Sequence, residues 1–277
     1  MTRAARKRAL RWLCTLGALV ALVIVLFPVY AVVVGSFEST QTLFSGTYYW
    51  LPHAATLDNY RTVIQAQAGN VLTSLIIGVG TAALALVVAV PAAYALSKYR
   101  LRVTVLLVSS LLVCQIVPSI VLATSLFVVF HWIHLVNSYP GLIIADGTYA
   151  IPFAILVLRA FFFSLPNELM HAARVDGASE WQTFRRVVVP LARSAVITVA
   201  VFAFLNGWGD FIFALTVLNG STIEPITLGI YTYLGNYSTD WGAVMAASAF
   251  AMVPAGVMLV VAQRYIAGGL TAGSVKG

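Results

Sequence analysis

Nine carboxylates, four histidines and two cysteines are all that 277 residues offer for acid–base, metal or nucleophile chemistry. The acids are too scattered for a paired-carboxylate centre, and there is no His-Glu-x-x-His zinc helix or Gly-x-Ser-x-Gly nucleophile turn. A Gly-x-x-x-x-Gly-Lys-Ser/Thr loop, whose backbone amides and lysine would hold a nucleotide, is missing too. Cys14 and Cys114 fall inside apolar stretches, away from any disulfide framework or metal cluster, and read as core fillers. No catalytic residue, metal ligand or cofactor is therefore assigned to this chain. The densest polar grouping runs from Ser164 to Pro190 and contains Glu168, His171, Asp176 and Glu180 with Arg174, Arg185 and Arg186.

The elements that must position this grouping are membrane spans. With 61% hydrophobic and only 9% charged residues, the chain lies far from soluble domains, in which about a quarter of residues are charged. Six stretches supply the ~20 apolar residues that a ~30 Å hydrocarbon core requires: Trp12 to Val34, Val71 to Leu96, Val103 to Phe130, Tyr139 to Phe163, Ala195 to Leu218 and Trp241 to Gln263. The expected fold is all-α and integral to the membrane, a single transmembrane domain over 1–277. A short terminus (1–11) precedes a six-span core (12–263), which includes the 164–193 loop, and a tail (264–277) follows. The first apolar run exceeds a signal-peptide h-region and reads as an uncleaved anchor.

The net charge of +7 resides in short basic clusters between apolar runs, so it reports topology rather than nucleic-acid binding. Placing Arg3, Arg6, Lys7, Arg8 and Arg11 in the cytoplasm also places Lys98, Arg100, Arg102, Arg174, Arg185, Arg186, Arg264 and Lys276 there. Both termini are then cytoplasmic. Glu38, Asp58, Arg61, Glu224 and Asp240 fall outside. Pro28, Pro91, Pro118, Pro152 and Pro254 lie within five of the six spans, and each removes a backbone hydrogen bond. Bent helices can frame a cavity, although neighbouring helices also satisfy the freed carbonyls in plain packing.

Within 164–193, Pro166 suits a helix start and Glu168 complements the dipole of a short helix to Val175 or Asp176. Gly177 supplies the left-handed position that ends it. Ser179 with Gln182 forms a capping box for a second helix, which Pro190 is expected to close before the fifth span. Two short amphipathic helices at a sharp turn, with small Ala172 and Ala173 at the bend, make a knob fit for another protein's groove. A helical hairpin lying on the bilayer surface is the alternative.

The pattern Glu168-Leu-x-His-Ala-Ala-x-x-Asp-Gly-Ala178, followed by Val189-Pro-Leu191, resembles the EAA loop of binding-protein-dependent ABC import permeases. The resemblance extends to Trp208-Gly-Asp-Phe211 in span five and to the ending Gly268-Gly-Leu-Thr-Ala-Gly-Ser-Val-Lys-Gly277, and is nearest to the carbohydrate-uptake branch, the maltose-type second permease subunit. It implies that Glu168, His171, Ala172, Ala173, Asp176 and Gly177 couple the chain to a cytoplasmic ATPase dimer, which binds ATP and Mg. His171 departs from the family's usual glutamate, although an imidazole can still hydrogen-bond there. Further implied partners are a second permease subunit and an extracytoplasmic solute-binding protein, in a bacterial plasma membrane whose lipid surrounds the spans. The tail either touches the ATPase pair or is a solvated terminus.

Asp146 and Asp210 are ionisable residues inside spans, costly unless they face a cavity or partner. Asp210, with Asn206, Trp208, Gln115 and Ser119, offers the hydrogen-bonding groups and flat apolar face that a sugar path uses. Structural pairing of Asp210 with the partner permease is the competing reading. Tyr231, Tyr233, Tyr237 and Trp241 suit either a binding-protein contact or an interfacial aromatic belt. An ion-coupled secondary transporter is the rival class, but no midplane coupling acids or repeat of broken helices are evident. A membrane enzyme or a channel would need a catalytic cluster, a filter or a charged ring, and none is visible.

Overall fold

A computed structural model of the chain describes residues 3–45, 50–53, 55–98, 102–234 and 240–272. The first helix, α1 (Arg3–Gly35), is followed by the single turn α2 (Thr40–Leu43), the long α3 (Asp58–Lys98), α4 (Thr104–Cys114), α5 (Ser119–Trp132) and α6 (Tyr139–Ser164). Next come α7 (Asn167–Val175), α8 (Glu180–Thr183), a π-helical turn (Phe184–Val188) and α9 (Val189–Leu191). The chain ends in α10 (Arg193–Gly209), α11 (Ile212–Val217), α12 (Ile226–Thr232) and α13 (Trp241–Ala272).

Among the described residues, four helices are long and apolar enough to cross a bilayer: Leu10–Gly35 of α1, α3, α6 and Trp241–Tyr265 of α13. Two bent pairs raise the number to six if each is one span: α4 with α5, bent by 101°, and Glu180–Leu191 with α10, bent by 76°. The stretch expected to be one span from Val103 to Phe130 is thus two helices. Its break has a local cause, since Pro118 donates no hydrogen bond and pushes the residue before it out of the α region. The expected fifth span is likewise interrupted, because α10 ends at Gly209 and Asp210 takes up an extended conformation (φ −65°, ψ 136°). At 41 residues α3 is about 60 Å long, twice a hydrocarbon core, so the apolar stretch Val71 to Leu96 marks only part of the helix.

The chain divides into two compact units, 1–68 with 230–252 and 69–229 with 253–277. In the first, Val63, Ala243, Ala246 and Ala247 form a small core with Tyr60, Tyr233 and Phe250. Asn59 Nδ2 donates to the carbonyls of Ser36 (3.1 Å) and Glu38 (2.8 Å), while Asp240 accepts from Thr40 Oγ1 at 2.6 Å. These bonds satisfy backbone and side-chain groups where helices end and the chain turns. The second unit has its principal core around Tyr94, Leu158, Phe162, Met170, Phe184, Val188 and Val199. There α3 and α10 approach closely. A Cβ on Gly207 would meet Thr81 Oγ1 at 2.8 Å and the Gly78 backbone at 3.2 Å.

Cys14 and Cys114 are both exposed, which corrects their reading as core fillers. In a lipid-facing helix the outer surface is as apolar as the interior, so an apolar sequence environment does not place a side chain inside.

Candidate functional site

The segment 164–193 is built on local capping chemistry. Helix α7 begins after Pro166, with Glu168 in its first turn. It ends through Asp176 N and Gly177 N, which donate to the carbonyls of Ala172 and Arg174 at 3.0 Å each, and Gly177 holds φ +82°. Ser179 Oγ then accepts from Gln182 N (3.3 Å) while Gln182 Oε1 accepts from Ser179 N (2.8 Å), closing the capping box. Arg174 and Glu180 join the two arms by an ion pair of 2.7 Å. Pro190 does not close the second helix. The preceding turn widens into a π-helix, which accommodates the missing N–H of Pro190, and the chain bends only at Ala192.

The two faces of α7 differ sharply. Met170 is 5% exposed and accepts a weak bond from the Tyr94 hydroxyl at 3.8 Å, whereas Val175 is 88% exposed. Glu168, His171, Ala172, Asp176 and Gly177 are exposed, and Ala173 is half-buried. Leu169 and Trp181 are exposed as well, so the knob presents apolar side chains alongside both charge signs. Such a patch fits a protein partner.

Residues unmarked by any motif hold this knob to the spans. Lys98 Nζ donates to the Leu165 carbonyl at 2.7 Å and to Asn167 Oδ1 at 3.1 Å, tying the end of α3 to the α6–α7 junction. Arg159 Nε donates to the Leu96 carbonyl at 3.3 Å. The Tyr94 ring packs edge-on to Phe162 (6.0 Å) and against Phe184 (5.0 Å), so α3, α6 and the π turn share one core with Met170. The knob is therefore packed densely against two spanning helices, α3 and α6, and against the π turn. The basic type of Lys98 was legible as a topology marker, but its partner is a carbonyl 67 residues away, for which sequence carries no signal.

The intramembrane residues divide between two helix breaks. Gln115 and Ser119 flank the α4–α5 break, both half-buried, and Gln115 Oε1 is buried with no hydrogen-bond partner among the described residues. At the other break Asp210 accepts from Phe213 N (3.2 Å) and Ala214 N (2.8 Å), capping α11, while its own carbonyl accepts from Thr227 Oγ1 at 2.5 Å. Asn206 is exposed; Trp208 is 5% exposed and stacks on Phe204 at 5.8 Å. Tyr149 of α6, missed in the sequence, joins the breaks: its hydroxyl donates to the Val117 carbonyl and its ring packs on Phe213 at 6.0 Å. Asp146 is fully buried and its carboxylate oxygens have no hydrogen-bond partner among the described residues.

In the other unit, Tyr233 turns inward to accept from Gln67 Nε2 at 3.3 Å, while Tyr231 and Trp241 are exposed. Tyr237 and residues 273–277 of the tail lie outside the described residues. Among the described residues, no three His, Cys, Asp or Glu side chains converge as metal ligands.

Residues 83–271 match the family described as the inner membrane component of binding-protein-dependent transport systems. The chain is 34% identical over 256 residues to the trehalose transport system permease protein SugB of Mycobacterium tuberculosis, covering 91% of this chain and 93% of that protein. It is 31% identical over 264 residues to the sulfoquinovosyl glycerol transport system permease protein SmoH of Agrobacterium fabrum, covering 95% and 93%. Its fold is similar to a chain in the crystal structure of a bacterial ABC transporter involved in importing the acidic polysaccharide alginate, with a TM-score of 0.74, 22% identity, and 96% and 98% coverage. Family match and full-length relatives agree with the multi-pass helical fold: this chain belongs to the binding-protein-dependent transport family and is an inner-membrane permease subunit of an ABC importer.

Proposed function

We propose that the chain imports a sugar or oligosaccharide, paired with a second permease and driven by a separate cytoplasmic ATPase dimer that binds ATP and Mg. The observation that carries the coupling reading is the exposed knob around Ala172 and Gly177, anchored to α3, α6 and the π turn by Lys98, Tyr94 and Met170. Closure of the ATPase pair around the knob rotates these helices and alternates access to a path past the two breaks. Asp210, Asn206, Trp208, Gln115 and Ser119 are the residues proposed to line or gate that path. Both termini are cytoplasmic in this arrangement, and a solute-binding protein delivers the cargo from outside. The sugar class is supported by the transport roles named for the similar permeases.

Co-purification tests the coupling role. Ala172 is exposed, so Ala172→Arg leaves the fold intact while blocking close approach at the knob. Wild type is expected to bring down an ATPase and a second permease, and Ala172→Arg to lose the ATPase. Equal ATPase recovery would remove the knob from the interface, and ion-driven uptake by the chain alone would replace the ABC mechanism.

A further inference from the structure

An open groove of about 480 Å³ runs along the second unit between α3, α10 and the later half of α13. Val79, Val201, Phe204, Val257 and Met258 give it an almost wholly hydrocarbon wall, and Tyr265 stands at one end. Two guanidinium groups lie against the ring of that tyrosine: the Cζ atoms of Arg193 and Arg264 are 5.1 and 4.8 Å from its centroid. Both arginines are exposed. The ion pairs among the described residues, Arg61 with Asp58 and Arg174 with Glu180, involve neither.

We propose that this groove holds an anionic phospholipid of the cytoplasmic leaflet, with an acyl chain along Val201, Phe204 and Val257 and its phosphate on Arg193 and Arg264. The cytoplasmic placement rests on the orientation proposed above. Dimensions and charge both fit. From Pro254 to Tyr265 α13 rises about 16 Å, close to half of a ~30 Å hydrocarbon core, so a chain entering at Tyr265 reaches the bilayer middle. Guanidinium forks bind phosphate oxygens with matched geometry, and two cations outside the ion pairs of the described residues favour a lipid with net negative charge over one carrying its own ammonium. Tyr265 stacking holds both forks at the headgroup level. A second copy of an apolar helix would fill the wall but leave these cations without a counter-charge.

Arg193 opens α10 directly after the 76° bend at Ala192, and Arg264 lies near the end of α13. The lipid therefore fastens α13 to the hinge that joins the knob to α10.

The test is lipid retention by the purified transporter complex, read by native mass spectrometry after exchange into equal phosphatidylglycerol and phosphatidylcholine of identical chains. Wild type is expected to retain phosphatidylglycerol with a preference on the order of tenfold. Arg193→Gln with Arg264→Gln should abolish the preference. Val257→Trp, which fills the groove and leaves both arginines in place, should lose the retained lipid while the partner subunits still co-purify. Equal retention of the two lipids by wild type, or a preference surviving in the double glutamine variant, would overturn the proposal. So would efficient crosslinking of Val257→Cys to the second permease, because protein would then occupy the groove. The readout is independent of transport and of ATPase docking, so its failure is distinguishable from failure of the coupling reading.

Discussion

At the scale of single residues, Asp210, proposed above to line the path, has a structural role of its own. Its carboxylate accepts two backbone N–H bonds at the start of α11, so truncation leaves those donors unsatisfied. Asp210→Ala is expected to cost about 1 kcal/mol, whereas Asn retains an acceptor oxygen and most of the cap. Thermal unfolding of the purified protein checks this, with a lower midpoint for Ala and a nearly unchanged one for Asn. Equal losses would instead mean that the charge itself is required, as in pairing with a second permease. Sequence marked Asp210 because an ionisable group in a span is costly. It did not mark the anchoring bonds of Lys98 or Tyr149, whose partners are carbonyls 67 and 32 residues away.

Among the elements, the knob was the most legible part of the molecule. The helix over Asn167–Val175, the left-handed Gly177 and the Ser179–Gln182 capping box all follow from interactions within four residues, so their residue types suffice to locate them. The π turn before Pro190 was not legible, since it depends on how buried Phe184 and Val188 fit the principal core. A Cβ at Gly177 would have nothing within 4 Å, so Gly177→Ala suffers only the backbone strain of φ +82°. That strain is about 1 kcal/mol and should displace the loop's equilibrium roughly fivefold. Measured as ATPase recovered per permease at limiting concentration, binding should fall by that factor while the thermal midpoint shifts little. Unchanged recovery would show that the ATPase accepts the loop in another conformation.

For the whole molecule, close helix packing replaces the hydrophobic driving force that lipid cannot provide. Gly207 is where this is most exacting, with Thr81 and the Gly78 backbone in the space a methyl group would need. Gly207→Ala is expected to destabilise the protein by about 1–3 kcal/mol through overpacking. Gly209→Ala, two positions on and with open space around its Cβ, serves as the near-neutral control in the same thermal assay. Matching midpoints would mean that α3 and α10 separate without loss. The sequence by itself determined the membrane class, the approximate place of each apolar stretch and the knob, because hydrophobic length and capping are local properties. Tertiary structure alone decided how sharply α4–α5 bends at Pro118, that α10–α11 breaks, that Cys14 and Cys114 face outward and that Lys98, Tyr94 and Met170 hold the knob. In a bilayer both faces of a helix are apolar, so which face turns inward is set by the shape of its neighbours rather than by hydrophobicity.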